Sequence, residues 1–295
     1  MQTKIITIGL SPAWDRTIEV AGIDWGEHKV VSCQKIVPAG KALNISRSLA
    51  QMGIKNVAAG LWGEDDWDKM QKAVADLKKI VQIKFIKASG ATRENITVID
   101  AMKKRNIHLR SKNTLANAKS LSDLNRNLKT VIKNGSICVF AGALPSGKLI
   151  AETKTLLETA KRKQAKIIVD SSGSEFKKIV SAGGLFMIKP NVEELSELIG
   201  RKIENEKEAI AETAKKFLNK TEFVLVSRGD KGAMLIGREL ILSTEYCGKK
   251  YDVCNTVGCG DYLLAGFIAG LCKTENLKTA LQTAVHTAAM RAFGK

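Results

Sequence analysis

Proline and aromatic residues are scarce in this sequence of 295 residues, which has 4 prolines and only 5% Phe, Trp and Tyr. So few prolines argue against long proline-rich linkers, and so few aromatic rings leave no evident platform on which nucleobases could stack. The longest apolar run near the C-terminus, residues 262–272, contains two glycines and has about half of the roughly 20 residues that a membrane span needs. The apolar run at the start is too short for a signal peptide. We therefore expect a soluble, cytoplasmic protein.

Cysteine and histidine do not occur in a pattern that is typical of metal binding. The 6 cysteines include no CxxC pair, and without a secretory signal we expect them to be free thiols. Cys254, Cys259 and His286 lack the fourth ligand and the spacing of a zinc site. We therefore predict no metal ion that is held directly by protein side chains.

The charge is strongly positive, with 47 Lys and Arg against 30 Asp and Glu, a net charge of +17. A basic balance can serve nucleic acid, a membrane surface or an anionic small ligand. Here the lysines are spread through segments 66–79 and 206–220 and are mixed with acids. This distribution favours a solvated surface that helps to bind anionic substrates, and makes nucleic acid the less favoured partner.

Short apolar runs alternate along the chain with longer amphipathic stretches. The runs predict strands at 5–8, 57–61, 137–140, 166–169, 186–188, 224–226 and 233–236, and the stretches predict helices at 44–52, 65–77, 122–133, 149–163, 192–199, 206–218, 261–271 and 277–293. Such alternation is typical of βαβ units, so the expected fold class is α/β with a largely parallel sheet flanked by helices.

Two segments interrupt this alternation. Residues 16–37 and 84–109 carry β-type residues at alternate positions with no helix between them. They predict antiparallel strands that form a separate small sheet. We expect one domain over residues 1–295, with this small sheet attached to it.

A glycine-rich turn precedes the apolar run near the C-terminus, in the sequence Thr256-Val-Gly-Cys-Gly-Asp261. The glycines let the backbone turn tightly and expose the amides of Gly258, Cys259 and Gly260, to which the following helix adds its positive dipole end. Such a turn can hold a phosphate, and Asp261 is placed to accept a proton from an attacking hydroxyl. The alternative is an aspartate that caps a helix after an ordinary glycine turn.

Six further stretches carry recognisable motifs in the same order: Leu10-Ser-Pro-Ala-Trp-Asp15, Ala39-Gly-Lys-Ala-Leu-Asn44, Thr92-Arg-Glu-Asn-Ile96, Ala141-Gly-Ala-Leu-Pro-Ser-Gly147, Ile188-Lys-Pro-Asn191 with Glu194, and Ser227-Arg-Gly229 with Gly232. Together with residues 256–261 they resemble the PfkB (ribokinase-like) carbohydrate kinases, in particular the branch of 1-phosphofructokinases and tagatose-6-phosphate kinases. The resemblance runs from about residue 5 to about residue 290. It implies a ribokinase-like fold in which the small sheet acts as a lid, and ATP with Mg²⁺ as cofactors.

For the sugar, the resemblance implies contacts from Asp15, Gly40, Lys41, Asn44 and Arg93. Asp15 and Asn44 offer an acceptor and an amide to sugar hydroxyls, and Gly40 allows close approach of the backbone. Lys41 and Arg93 are suited to bind phosphate, Lys41 as a movable point charge and Arg93 as a bidentate hydrogen-bond donor. The alternatives are a turn residue for Asp15 and a surface charge for Lys41.

For the nucleotide, the resemblance implies contacts from five positions: Lys189, Ser227, Gly229, Gly232 and Thr256. Asn191 and Glu194, one helical turn apart, would order magnesium through water, because that ion keeps much of its hydration. The alternatives are ordinary turn chemistry for the five positions, and a helix cap followed by an acid at the helix start for Asn191 and Glu194.

Several residues depart from the family pattern. Ala143, Ala42 and Ser11 stand where the family usually has Ser, Gly and Asn, and His28 and Val30 stand where relatives that phosphorylate fructose 6-phosphate tend to carry basic residues. Removing one phosphate hydrogen bond costs about 1–3 kcal/mol, enough to change substrate preference. His28 and Val30 argue against fructose 6-phosphate and favour the 1-phosphofructokinase branch. Ala143 and Ala42 instead motivate the alternative of a kinase for a different substrate.

The expected activity is therefore transfer of the ATP γ-phosphate to fructose 1-phosphate, which gives fructose 1,6-bisphosphate. Asp261 would be the base, and the amides of Gly258, Cys259 and Gly260 would bind the transferring group. The alternatives are a tagatose-6-phosphate kinase, a kinase for another sugar or a nucleoside, and a catalytically impaired protein that binds a ligand or nucleic acid. The resemblance also suggests a homodimer formed through the lid sheets.

Overall fold

The computed structural model describes residues 3–249, 251–254 and 256–295. Its strands are β1 (Ile5–Gly9), β2 (Ala13–Val20), β3 (Cys33–Ala39), β4 (Asn56–Gly63), β5 (Val81–Ala88), β6 (Glu94–Asp100), β7 (Arg105–Arg110), β8 (Ile137–Ala141), β9 (Lys166–Asp170), β10 (Leu185–Ile188), β11 (Thr221–Ser227), β12 (Ala233–Gly237) and β13 (Leu240–Thr244). Its helices are α1 (Lys41–Gln51), α2 (Trp67–Ala73), α3 (Ala118–Val131), α4 (Ile150–Lys161), α5 (Gly173–Ala182), α6 (Val192–Ile199), α7 (Lys207–Lys215), α8 (Cys259–Thr274) and α9 (Leu277–Ala292).

Nine strands form a large sheet in the order β13-β12-β11-β10-β9-β8-β1-β4-β5. All neighbours pair in parallel except β12, which is antiparallel to both β11 and β13. The largely parallel α/β sheet expected from the sequence is thus confirmed.

Helices cover both faces of this sheet, which explains why its inner strands are continuously apolar. On one face α3 to α7 pack against side chains such as Ile6, Cys138 and Phe140. On the other face α1, α8 and α9 pack against the alternate side chains, such as Ile5 and Val139. Within the described residues, none of the helices combines the length and the apolar character that crossing a bilayer requires.

The remaining four strands form a small sheet in the order β3-β2-β6-β7. Its outer pairs, β2 with β3 and β6 with β7, are antiparallel as expected, but β2 and β6 pair in parallel. The prediction of a wholly antiparallel sheet was therefore wrong. Between β2 and β6 the chain crosses the large sheet through α1, β4 and β5, and a crossover rather than a hairpin allows a parallel pair.

The predicted boundary of the second lid segment also needs correction. Residues 84–88 belong to β5, at the edge of the large sheet next to β4, and the small sheet resumes only at Glu94. As an edge strand, β5 has partly exposed side chains between buried ends, so its pattern resembles that of a half-exposed antiparallel strand.

One carboxylate ties the small sheet to the large one. The indole Nε1 atoms of Trp14 in β2 and Trp62 in β4 both donate to Oδ2 of Asp66, in the second case at 2.7 Å. Oδ1 of Asp66 accepts the backbone N–H of Thr92 at 2.7 Å, just before β6 begins. The two indole rings meet edge to face at 5.4 Å between centroids, so the joint is also an aromatic contact.

Helices α8 and α9 lie unusually close together because α8 carries glycines on the facing side. A Cβ on Gly266 would come within 2.8 Å of the Thr283 carbonyl oxygen and 2.9 Å of the Ala284 Cα, and one on Gly270 within 2.7 Å of the Ala280 Cα. The pairing of Gly270 with Ala280 and of Gly266 with Ala284 fixes an antiparallel register. It also places the C-terminal end of α9 beside the start of α8.

We predict that Gly266→Ala destabilises the protein by about 1–3 kcal/mol, because the added methyl group overpacks this contact. The sign of the change in the free energy of unfolding is diagnostic, because Gly→Ala inside a helix ordinarily stabilises a protein by about 0.5–1 kcal/mol. Urea denaturation measures the change. The exposed Gln282→Ala in α9 is the control, expected within about 0.5 kcal/mol of wild type. A stabilised Gly266→Ala variant would contradict the close packing.

Candidate active site

The carboxyl ends of the parallel strands converge with the N-terminal ends of α1 and α8, where open α/β sheets place their ligands. Asp170 is the last residue of β9, Lys189 follows β10, and Ser227 ends β11. Lys41 is the first residue of α1, and Asp261 lies in the first turn of α8.

The Asp261 carboxyl is buried, with 4% of the residue exposed. Gly258 precedes α8 in a left-handed conformation with φ 84°, which a glycine adopts without strain and which lets the chain turn into the helix. The Asn44 side-chain amide, one turn into α1, donates to Oδ2 of Asp261 at 2.9 Å. The two helix starts are therefore joined by a hydrogen bond to this carboxylate.

Burial, and after it the nearby charge of Asp170, raises the pKa of Asp261 to about 7. The charges of Lys41 and Lys189 and the hydrogen bond from Asn44 act in the opposite direction. A carboxyl group that titrates near neutral pH can accept or release a proton under ordinary conditions.

A row of alternating charges lies beside Asp261. Lys41 Nζ is 2.9 Å from Oδ1 of the fully buried Asp170, and Lys189 Nζ is 3.4 Å from its Oδ2. Burial alone would lower the pKa of Lys41, but the carboxylates of Asp170, Glu194 and Asp261 raise it above its ordinary value. Lys189 also lies beside the glycine turn, since its Nζ is 3.4 Å from the point that a Cβ on Gly260 would occupy.

Asp170 was missed by the sequence analysis, although the signal was present. It follows directly after a predicted buried strand, 166–169, at the edge of the sheet where functional side chains collect. The alternative for Lys41 was a charge on the surface. The structure instead pairs its ammonium group with the buried carboxylate of Asp170.

The predicted sugar residues of the small sheet form a second group. Asp15 in β2 accepts a hydrogen bond from the Asn95 amide of β6 at 2.8 Å. Gly40, with φ 115°, passes so close to the turn before β2 that a Cβ would lie 3.3 Å from the Pro12 Cα. Arg93 bonds to backbone carbonyl oxygens, with Nε 3.2 Å from that of Pro12 and Nη1 2.9 Å from that of Ser111.

Asn191 and Glu194 form a capping box at the start of α6. The Asn191 Oδ1 accepts the Glu194 N–H at 2.7 Å, and the Glu194 Oε2 accepts the Asn191 N–H at 2.9 Å. This arrangement is the helix-capping alternative that their spacing left open. It uses one oxygen of each side chain, and the charge of Glu194 still acts on Lys41.

The remaining predicted nucleotide positions lie in two loops. Ser227 and Asn191 form an isolated parallel bridge, which places the end of β11 next to the start of α6. Gly229 and Gly232 flank a single 3-10 turn after β11, and a Cβ on Gly232 would clash at 2.1 Å with the Thr244 carbonyl oxygen. Thr256 is exposed ahead of α8. Within the described residues, no hydrogen bond or ion pair joins these loop positions to Asp261.

The departures from the family pattern take distinct forms in the structure. Ala42 is a buried residue in the first turn of α1, with ordinary helical geometry, and its Cβ packs 3.1 Å from where a Cβ on Gly9 would lie. Ala143 is exposed in the loop after β8. The Ser11 hydroxyl is buried without a hydrogen-bond partner among the described residues.

Comparison with known proteins identifies the family. The pattern that defines the pfkB family carbohydrate kinases matches residues 2–293, which is nearly the whole chain. The chain belongs to the pfkB family of carbohydrate kinases. It is therefore a phosphotransferase with an alcohol acceptor, and the resemblance drawn from the motifs is confirmed.

Two curated pfkB relatives are similar to this chain over most of its length. A 1-phosphofructokinase from Bacillus subtilis (strain 168) is 26% identical over 297 residues, which cover 99% of this chain and 93% of that protein. A tagatose-6-phosphate kinase from Staphylococcus epidermidis (strain ATCC 12228) is 26% identical over 282 residues, covering 95% and 89%.

Solved structures agree on the ribokinase-like fold. Phosphofructokinase-2 from Escherichia coli in complex with fructose-6-phosphate aligns over 99% of this chain and 94% of that chain, with a TM-score of 0.89 at 22% identity. A ribokinase from Thermotoga maritima aligns over 99% and 93%, with a TM-score of 0.73 at 20% identity.

We predict that Asp261→Asn stabilises the protein, and more so at pH 8 than at pH 5. The Asp261 carboxyl titrates near 7 in the folded protein and near 3.8 in a free chain, so its folded form holds the proton over that range and loses stability as the pH rises through it. The gain at pH 8 should exceed the gain at pH 5 by roughly 1–3 kcal/mol. Urea denaturation at both pH values tests this. An equal change at both would contradict the raised pKa.

Proposed function

We propose that this chain transfers the γ-phosphate of ATP to fructose 1-phosphate at carbon 6, giving ADP and fructose 1,6-bisphosphate. The observation that carries the proposal is the buried Asp261 carboxyl, which lies at the start of α8 behind a glycine turn and is held by Asn44. A curated relative at 26% identity is a 1-phosphofructokinase, which supports the substrate.

In the proposed reaction, the sugar hydroxyl oxygen attacks the γ-phosphorus while the bond from that phosphorus to the β,γ-bridging oxygen breaks. The hydroxyl proton passes to Asp261, and the bridging oxygen leaves on ADP. The amides of Gly258 and Gly260 at the positive end of α8 stabilise the charge on the transferring group, whereas the predicted Cys259 amide already donates to the Thr256 carbonyl oxygen at 3.3 Å. Lys41 and Lys189 lie on the same side and add positive charge.

The sugar phosphate would bind between α1 and the small sheet. Asp15 and Asn44 offer hydrogen-bonding groups to its hydroxyls, and Gly40 lets it approach the backbone. Arg93 has five N–H donors, of which three point at the carbonyl oxygens of Ser11, Pro12 and Ser111. Two donors remain for a phosphate, and the carbonyls hold the guanidinium in place.

Magnesium belongs to the proposal as the partner of ATP. Within the described residues, no three acidic, His or Cys side chains cluster as a metal site, so the ion would be held chiefly by phosphate oxygens and water. Oδ2 of the buried Asp170 accepts no hydrogen bond there and faces Lys189 Nζ at 3.4 Å, and Glu194 lies near Lys41, so these two acids fit the water shell of such an ion. When bound, magnesium neutralises phosphate charge.

Tagatose 6-phosphate is the second candidate substrate. A tagatose-6-phosphate kinase is as similar to this chain as the 1-phosphofructokinase is, at 26% identity. Ala143 also stands where the family pattern has Ser and so lacks a hydroxyl for the sugar phosphate, which favours a phosphate at another position of the sugar.

We also propose that the small sheet closes over the sugar as a lid and pairs with a second copy of the chain. The outer face of β7 presents Ile107 and Leu109, both nearly half exposed, and Trp25 and Val30 in the β2–β3 connection are almost fully exposed. Exposed apolar surface of this kind favours a protein partner. One structure of the Escherichia coli phosphofructokinase-2 is a tetrameric inhibited form, which supports self-association.

Acceptor assays test the substrate. With ATP and magnesium, ADP release should be fastest with fructose 1-phosphate and slower with tagatose 6-phosphate, fructose 6-phosphate or unphosphorylated sugars.

Asp261→Asn should lower kcat about 10²–10⁴-fold with fructose 1-phosphate and still bind ATP, because only the proton acceptor is lost. Faster ADP release with another acceptor would contradict fructose 1-phosphate and identify that acceptor as the substrate. No turnover of any sugar, with salt-sensitive retention on DNA, would favour the impaired binding protein.

Light scattering after size exclusion tests the dimer. The wild-type chain should have twice the mass of 32.1 kDa, and Ile107→Lys with Leu109→Lys should shift it to the monomer, because two charges would enter the apolar contact. Ile241→Lys is the matched control, since that residue is 47% exposed on β13 of the large sheet. A monomeric wild type, or a dimer that only the control disrupts, would refute the lid interface.

A further inference from the structure

The end of α9 brings a positive charge to the start of α8 that the motifs do not include. The antiparallel packing described above places Gly270 against Ala280 and Gly266 against Ala284. Continued by two turns in each helix, the same register sets Arg291, in the last turn of α9, beside the first turn of α8. The glycines of α8 therefore determine what faces the glycine turn.

Arg291 lies over the ring of Tyr262, with its Cζ 5.5 Å from the ring centroid, a distance at which a cation and an aromatic face attract. A Cβ added to Gly258 would be 3.9 Å from Arg291 Nε and also 3.9 Å from Oδ2 of Asp261. The open side of Gly258 is thus bounded by a guanidinium group on one side and by the carboxyl group of Asp261 on the other.

The charge of Arg291 acts on this turn. Burial raises the pKa of the Cys259 thiol, and the positive charge of Arg291 opposes that increase. The guanidinium is therefore close enough to the glycine turn to influence a charge that forms there.

The other cations of the site are already paired. Lys41 and Lys189 both contact Asp170, at 2.9 and 3.4 Å. Within residues 3–249, 251–254 and 256–295, the Arg291 guanidinium has neither an acid within ion-pair distance nor a side-chain hydrogen bond, while it carries five N–H donors. A planar group with free donors beside an amide turn suits a phosphate better than a point charge does.

We propose that Arg291 binds a phosphate group of the nucleotide, donating hydrogen bonds to oxygens that the amides of Gly258 and Gly260 also hold, while the ring of Tyr262 stacks against the guanidinium. The proposal rests on the proposed kinase function and adds a residue to it. As the bond to the γ-phosphorus breaks, negative charge accumulates on the departing ADP, and Arg291 stabilises that charge as well.

A purely packing role for Arg291 is the competing explanation, because the same stacking on Tyr262 could serve only to anchor the end of α9. The two roles differ in what they do to ligands with and without phosphate. A phosphate contact affects ATP and ADP but leaves adenosine unchanged, whereas a loosened helix end weakens all three together.

Isothermal titration with ADP and adenosine on Arg291→Gln separates these roles. We expect ADP to bind about tenfold more weakly, as for the loss of one charge-assisted hydrogen bond, with adenosine within twofold of wild type and Tm unchanged. Arg291→Lys should keep part of the ADP affinity. Arg238→Gln is the matched control. This exposed arginine lies in the turn after β12, which is antiparallel to β11, so it is at the amino ends of the parallel strands and away from the site.

Unchanged ADP affinity in Arg291→Gln would overturn the proposal while leaving the kinase function intact, provided that the wild type still phosphorylates a sugar. Equal losses for ADP and adenosine, or a lowered Tm, would overturn it in favour of the packing role. A wild-type protein that neither binds ADP nor turns over any sugar would overturn this proposal and the proposed function together.

Discussion

The arrangement of the site depends on a carboxyl group that is buried where two helices begin. Removing Asp261 from water is costly, and the structure offsets that cost with the Asn44 amide, the dipole of α8 and two lysines nearby. Because Asn44 belongs to α1 and Asp261 to α8, the same hydrogen bond fixes the spacing of the two helices. The geometry of the site therefore depends on how α1 and α8 pack on one face of the sheet.

Asp170 completes this constraint from the large sheet. It is fully buried at the end of β9, and it pairs with Lys41 from α1 and Lys189 from β10. Its negative charge also raises the pKa of Asp261, so the two acids cannot both be ionised without a cost. Positive charge brought close by Lys41 and Lys189 lowers that cost.

Much of this could be predicted from the sequence, because parallel strands and their helices leave strong local patterns. The seven predicted strands of the large sheet are present, and α6 spans the residues predicted for it. One strand was assigned to the wrong sheet, and another strand and a helix were missed. The edge strand β5 alternates like a half-exposed strand, β13 is a short edge strand, and α5 begins only three residues after β9 ends.

The site was predictable where its residues lie in motifs, and not where tertiary packing alone unites them. Asp261 and its glycine turn were found because they are consecutive, and Asp170 could have been found from its position after a strand. Arg291 gives no local signal, because it reaches the turn only through the register of α8 and α9. The parallel pairing of β2 with β6 is hidden for the same reason, since it depends on a crossover through the other sheet.

The joint at Asp66 has a mechanical consequence for the small sheet. Trp14 and Thr92 are both bonded to this one side chain, so one end of the sheet is fastened next to β4, while no hydrogen bond among the described residues ties its far end to the large sheet. Any swing of the sheet must then have its axis near residues 14 and 92, and displacement must grow with distance from that axis. In such a swing Asp15, next to the axis, would move little, whereas Trp25, at the far end of the sheet, would move the farthest.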